Sequence, residues 1–386
     1  METPRLTWRE VVKAVDRHPR LSAAAHQVAA SRALAGAVEA PADPSIEWNT
    51  AWAQARNTGD SRVEWGLSLQ FPLGGLLQHG ARFEMGKAAL ASSQVEAIVL
   101  RREILLRLGD LFWDHAAAEA RVETLEEGLK QTEALRKIVQ TRVAQGEARP
   151  VEAMRLEVEW EKMRADLEAA RLALGGSRGL LALWLGAPPG AGLRIEADLR
   201  ALPELPTEEA VARKIRAQDP ALLLERARLR ERAAELEWER RAKAPSPAVR
   251  VFTAQELDRQ AYGLSLNLEF PVWAWSGKKH LAARERQAAT KNSLEALEFE
   301  AGAEGLELLA ACRAQHGMAQ SYRERILPRA EAAALVVEKT WRLGEAGLLD
   351  LMDARRTLLE TRRVALASYI EARSNIAKLK TLMGEE

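Results

Sequence analysis

Little in this chain equips it for redox or metal chemistry. Its 386 residues include one cysteine, Cys312, which rules out an internal disulfide and a thiolate metal set. Cys312 falls inside a helical pattern and reads as a small buried residue. Six histidines (His18, His26, His79, His115, His280 and His316) are scattered, with no His-x-x-x-His or histidine-plus-carboxylate spacing that suits a metal. Asp114 and His115 are neighbours in a helical pattern, where adjacent side chains point apart. The stretches Gly175-Gly176-Ser177-Arg178-Gly179 and Ser276-Gly277-Lys278-Lys279 lack the full spacing of a phosphate loop. No enzyme activity, catalytic residue, cofactor or metal site is expected.

Other absences narrow the class. Fifty-six basic residues face 55 acidic ones, so a net charge of +1 implies no strongly charged partner. Basic runs such as Arg240-Arg241 are short and lack interleaved aromatics, which argues against nucleic acid. No run of 18 apolar residues exists, so no transmembrane helix is expected. A β-barrel stays open, because its strands are short and only half apolar. METPRLTWREVV has no apolar core of a signal peptide, and Met1 to Leu6 offers no cysteine for lipidation. The expectation is that a leader has been removed or trimmed from this numbering.

What is abundant is helix-forming. The chain is 47% hydrophobic and 29% charged but only 5% aromatic, a composition of long helices and coiled coils. It also repeats itself. RVEWGLSLQFPLGG at 62–75 corresponds to QAYGLSLNLEFPVW at 260–273, and RVAQGEARPVEAMRLE at 142–157 to TWRLGEAGLLDLMDAR at 340–355. Pro72 and Pro271 are 199 apart, Gly146 and Gly344 198 apart. One half-protein unit is used twice. The first repeat is read as 1–186, a linker as 187–206 and the second repeat as 207–386.

Thr7 with Glu10 reads as a capping box opening a short helix that Pro19 interrupts. Its counterpart begins near Thr207 and meets Asp219-Pro220. Helices then run to Ala40 and Ala244, where proline pairs Pro41/Pro44 and Pro245/Pro247 end them. There the period changes from 3.6 to 2. Strands are expected at about 45–56, 62–72, 248–254 and 261–271, with the first turn at Asn57-Thr58-Gly59-Asp60. In the simplest register Trp52 faces Trp65 and Trp48 faces Leu69. Helical periodicity covers about 76–144 and 276–343, each roughly 100 Å at 1.5 Å per residue. Return helices cover 151–186 and 347–384, with Gly186 and Gly384 as C-caps and Ser276 as an N-cap.

The strands alternate. Trp48, Trp52, Trp65, Leu67, Leu69 and Phe71 line one face of the first hairpin; Tyr262, Leu264, Leu266, Leu268 and Phe270 line one face of the second. With Trp273 and Trp275 these aromatics resemble the interfacial girdle of an outer-membrane barrel, with Lys278 and Lys279 near lipid head groups. Four strands form an open sheet with two bare edges, and edges invite pairing with other chains. Three chains would supply twelve strands, enough to close a barrel. The expected fold class is mainly α with a small β part. It has two tandem repeats, long antiparallel coiled-coil helices forming an α-barrel, and four strands per chain in a trimeric twelve-stranded transmembrane β-barrel.

At WGLSLQFPL, YGLSLNLEFPV and WRLGEAGLLDLMDARRTLLE the chain resembles the TolC-like outer-membrane efflux proteins, across both halves. GLSLQFPLGGLLQHGAR is most similar to their heavy-metal branch, of CzcC- and CusC-like proteins. The resemblance implies a homotrimeric exit duct in the outer membrane of a Gram-negative bacterium, extending into the periplasm. It would pass substrates, heavy-metal cations among them, from a periplasmic adaptor and an inner-membrane pump of the RND type. By the same resemblance Asp350 and Asp353, with Glu152 in the first half, project into a periplasmic constriction. The bland alternative is acids placed favourably at a helix N-terminus. Arg149, Arg155 and Trp341 are the candidate gate contacts; the family's arginine two residues after the second turn glycine is Ala346 here. The turns Val143, Gly146, Glu147 and Leu343, Gly344, Glu345 are the candidate adaptor-docking points, or simply tight connections that need glycine. The competing reading is a soluble coiled-coil scaffold whose hairpins mediate assembly.

Overall fold

A computed structural model describes residues 5–37, 43–54, 61–188, 193–196, 198–256, 259–271 and 277–385. In chain order the elements are β1 (Arg5–Leu6), α1 (Trp8–Val15), α2 (Pro19–Ala37), β2 (Ser45–Gln54), β3 (Ser61–Pro72), α3 (Gly74–Ala144) and α4 (Pro150–Leu185). Then come β4 (Arg194–Ile195), α5 (Glu208–Gln218), α6 (Pro220–Arg241), β5 (Ser246–Gln255), β6 (Gln260–Glu269), α7 (Lys278–Ser321), α8 (Leu327–Arg342) and α9 (Leu348–Leu382). The chain divides into two compact units, 1–22 with 100–220 and 300–386, and 23–99 with 221–299. Each unit therefore takes matching segments from both sequence repeats.

The second unit holds a four-stranded antiparallel sheet in the order β2-β3-β5-β6. The repeats meet at β3 and β5, paired from Trp65 with Gln255 to Pro72 with Ala248. The strand around 248–254, irregular in sequence, is paired with β6 along its full length, Ser246–Gln255. The register of the first hairpin differs from the simplest expectation. Trp48 pairs with Leu67 and Trp52 with Val63, while Trp65 lies opposite Thr50. Between Gln54 and Ser61 the connection is two residues longer than the four-residue turn expected at Asn57–Asp60, which lies outside the described residues. A two-residue slip preserves parity, so every side chain keeps its face.

That face is apolar and open. Trp52 and Tyr262 are each 77% exposed and Leu264 73%. Trp48 and Trp65 stack diagonally across β2 and β3, with ring centroids 5.4 Å apart. The opposite face carries a polar network. The Arg250 guanidinium donates to Gln70 Oε1 at 2.9 Å and lies 3.6 Å from Glu47 Oε2. Phe252 shares that face and lies over Gly263, where a Cβ would come within 2.3 Å of its ring.

The first unit is built from paired helices. α1 opens on its capping box: the Glu10 carboxylate accepts the Thr7 backbone N–H at 2.7 Å and its hydroxyl at 3.0 Å. α5 opens on Thr207, whose hydroxyl oxygen accepts the Ala210 N–H at 3.3 Å. Each short helix seats an apolar pair into one cluster, Val11 and Val15 beside Leu111 and Leu181, or Val211 and Ile215 beside Leu309 and Leu379. The sequence separations are 200 and 198 residues, so the repeat extends into the core. Leu181 and Leu379 are fully buried, each worth about 1.5–3 kcal/mol in transfer from water. α5 packs so tightly on α7 that a Cβ on Gly305 would lie 2.1 Å from Ile215 Cδ1.

Three departures from the sequence pattern stand out. The long helix expected over 276–343 is broken into α7 and α8 by a π turn at Tyr322–Ile326. Pro328 causes it: proline has no N–H for the carbonyl of Glu324, and its ring crowds the preceding turn. The segment read as a linker also carries structure. β4 pairs in parallel with β1, and Leu193 is buried in the α1 core. α6 ends at Arg241, before Ala244, whereas the expected end of α2 at Ala40 lies outside the described residues.

Candidate functional site

The two Gly-Glu turns lie in the first unit and are built alike. At the end of α3, Gly146 takes φ 77° and Glu147 N–H donates to Arg142 C=O at 2.8 Å. At the end of α8, Gly344 takes φ 82° and Glu345 N–H donates to Thr340 C=O at 2.9 Å. Both are Schellman closures, which place a residue in the left-handed region where glycine alone is unstrained. The turns share one core. Leu135, Val139, Leu156, Trp341, Leu348 and Leu351 are buried together, with Val143, Ala153 and Ala346 packed against them. Trp341 is 6% exposed, with the Arg142 guanidinium 4.8 Å above its ring. The structure thus places Trp341 in the core beneath the turns.

The charged candidates stand around this core. Gly146, Glu147, Arg149, Arg155, Leu343, Gly344, Glu345, Asp350 and Asp353 are exposed, and Glu152 is half-buried. Leu343 is 74% exposed, an apolar side chain held out at the tip of the second turn. Asp350 Oδ2 accepts the Gly347 backbone N–H at 3.0 Å, so this acid also caps α9. Arg149, Glu152, Arg155 and Asp353 make no ion pair among the described residues. Sequence separations of 198 set Glu152 against Asp350 and Arg155 against Asp353, so the repeat reverses charge at one of the two positions.

Just above the turns lies a network the sequence reading missed. The Arg136 guanidinium donates to both Glu157 oxygens at 2.8 and 2.9 Å and to Glu133 at 3.3 Å, while stacking 4.6 Å from Trp160. Those hydrogen bonds hold the Glu133 carboxyl below its ordinary range. Its signal was present as basic and acidic positions spaced by three, a pattern common to solvated helix faces. His115 is a packed helix residue. It is fully buried, with Nδ1 2.9 Å from Ser177 Oγ and Nε2 3.3 Å from Leu193 C=O. Burial pushes the imidazole pKa down, against the pull of the Leu193 carbonyl and of Glu119.

In the second unit the belt positions Trp48, Trp52, Leu67, Phe71, Tyr262, Leu264, Leu266, Leu268 and Phe270 are exposed, while Trp65 and Leu69 are half-buried. Trp273 and the proposed N-cap Ser276 lie outside the described residues. No described helix is long and apolar enough to cross a membrane. A sheet with an open apolar face and long helices closed by paired turns are the parts of an outer-membrane export channel subunit.

Comparison with known proteins agrees. The family model for outer membrane efflux proteins matches residues 11–187. The cobalt-zinc-cadmium resistance protein CzcC of Cupriavidus metallidurans is 24% identical over 347 residues, 89% of this chain and 81% of that protein. The solved structure of CusC superposes with a TM-score of 0.82 at 17% identity, covering 100% of this chain and 93% of that one. VceC of Vibrio cholerae gives 0.78 at 15% identity, over 98% and 96% of the two chains. Residues 11–187 thus match the outer membrane efflux family, and the whole chain shares the fold of the CusC and VceC channel proteins. It is an efflux channel of the outer membrane with a periplasmic extension.

Proposed function

We propose that three copies form a passive duct for divalent heavy-metal cations, fed by an RND-type pump through an adaptor that docks on the Gly146 and Gly344 turns. The observation that carries this is the exposed acid pair after the second turn. Asp350 and Asp353 stand one helical turn apart on α9, beside the turn core, with Asp353 unengaged. Three copies at a constriction would gather six carboxylates, which concentrates cations and repels anions. The relative named for cobalt, zinc and cadmium resistance supports this cargo class. Arg149 and Arg155 have no ion pair among the described residues, which supports a role in meeting acids of a neighbouring copy in the closed state. The wall performs no chemistry; the pump supplies the energy.

The test is single-channel recording in planar bilayers with Zn²⁺ or Co²⁺ added. Cation selectivity and divalent block are expected in the native channel, and loss of both in Asp350→Asn/Asp353→Asn. Unchanged selectivity and block in that variant would remove the acids from the conducting path. Growth of a strain lacking the chain on graded cobalt, zinc and cadmium tests the cargo separately.

A further inference from the structure

From the turn core at Leu135, Leu156 and Met352 up to Ala117 and Ile370, the first unit contains an open trough of about 590 Å³ between α3, α4 and α9. Small-molecule sites commonly span roughly 300–1,000 Å³. Gly128 makes the floor possible. A Cβ there would meet Met163 Sδ at 3.2 Å and Leu359 Cδ2 at 3.3 Å, so these side chains reach over α3 in space a larger residue would fill. Leu125 and Leu366 extend the apolar surface.

The rim is charged and unevenly so. Six basic and three acidic side chains line the trough. Four of the bases are engaged: Arg355 with the Gln131 carbonyl, Arg356 with Glu159, Arg362 with Glu127 and Glu331, and Arg363 with Glu360. Arg121 and Lys162 have no ion pair among the described residues, against one acid, Asp166, in the same condition. An uncharged apolar ligand would leave both cations unused, and a cationic one would be repelled.

We infer that this trough binds a single-chain amphiphilic anion, its alkyl tail on the Met163–Leu359 floor and its head drawn to Arg121 and Lys162. The site borders the turn core, and its assignment does not depend on what the duct conducts.

Equilibrium dialysis of radiolabelled laurate against the chain in nanodiscs, with empty nanodiscs subtracted, tests the assignment. Dodecanol and dodecyltrimethylammonium serve as head-group controls. Saturable uptake of one laurate per chain is expected, at least tenfold tighter than dodecyltrimethylammonium. Arg121→Glu/Lys162→Glu should weaken it tenfold or more. Ala367→Trp, at an exposed position lining the trough, should abolish it. Non-saturating uptake, equal uptake of the cationic analogue, or laurate binding unchanged in both variants overturns the proposal. The head-group comparison needs only the native chain, so it decides even where a variant fails to fold.

Discussion

Asp350 commits one carboxylate oxygen to its own helix: Oδ2 takes the Gly347 backbone N–H at 3.0 Å. Asp353, one turn further along α9, is exposed and has no such tie. The two acids are therefore expected to separate experimentally. Asp353→Asn should reduce cation selectivity and leave thermal unfolding unchanged. Asp350→Ala should also cost about 0.3–1 kcal/mol through the lost charge at the helix start. A combined bilayer and calorimetric series checks this; equal loss of stability in both would refute the division of labour.

The turn glycines offer a second test. Gly146→Ala and Gly344→Ala each force a Cβ into the left-handed region, where φ is 77° and 82°. Each is expected to destabilise by about 1–2 kcal/mol. Nothing lies within 4 Å of either Cβ position, so the effect is conformational and the two values should agree. Urea midpoints measured side by side would expose any difference.

On α7, two neighbouring glycines should respond with opposite sign. Gly302 faces open space, and Gly302→Ala is expected to stabilise by about 0.5–1 kcal/mol through helix propensity. Gly305 faces Ile215, itself only 2% exposed and unable to retreat. Gly305→Ala should therefore cost about 1–3 kcal/mol by overpacking. The contrast in melting temperature is the readout.

His115 predicts a pH dependence. Its folded pKa lies below the ordinary 6.5, chiefly because of burial. The unfolded chain then binds the proton more tightly, so stability is full above about pH 6.5 and falls as pH drops toward the folded pKa. Denaturant midpoints between pH 7.5 and 5 should decline in the native chain and less so in His115→Gln. Parallel declines would shift the cause to other groups.

On the sheet, sidedness is the test. Leu266→Lys places a charge on the open apolar face and is expected to cost about 2–4 kcal/mol at membrane mid-depth. Asn267→Lys, on the other face, should insert normally. Heat-modifiable gel migration of outer-membrane fractions distinguishes them; equal tolerance would contradict a lipid-facing belt.

The repeat, the helix-rich class and the apolar sheet face were legible because they rest on periodicity, which local sequence records directly. Register was not: parity fixed the faces of Trp48 and Trp65, but the slip of two was set by the connection beyond Gln54. The π turn at Tyr322–Ile326 was hidden because helical periodicity continues across it, with Pro328 the only mark. β1 and β4 are two residues each, too short for any period. Around the turns, the exposed charges were visible in sequence. The burial of Trp341 was not, since it depends on Leu135 and Leu156, distant along the chain, meeting beneath it.

In the four-stranded sheet the first and last strands, β2 and β6, each have one partner among the described strands. Hydrocarbon offers no substitute for the missing hydrogen bonds, and each unmet group would cost several kcal/mol there. A lone copy is thus barred from the bilayer by its own backbone. Oligomerisation must precede or accompany insertion, which sets an order of events for biogenesis. Until copies meet, Trp52 and Tyr262 stay bare to water.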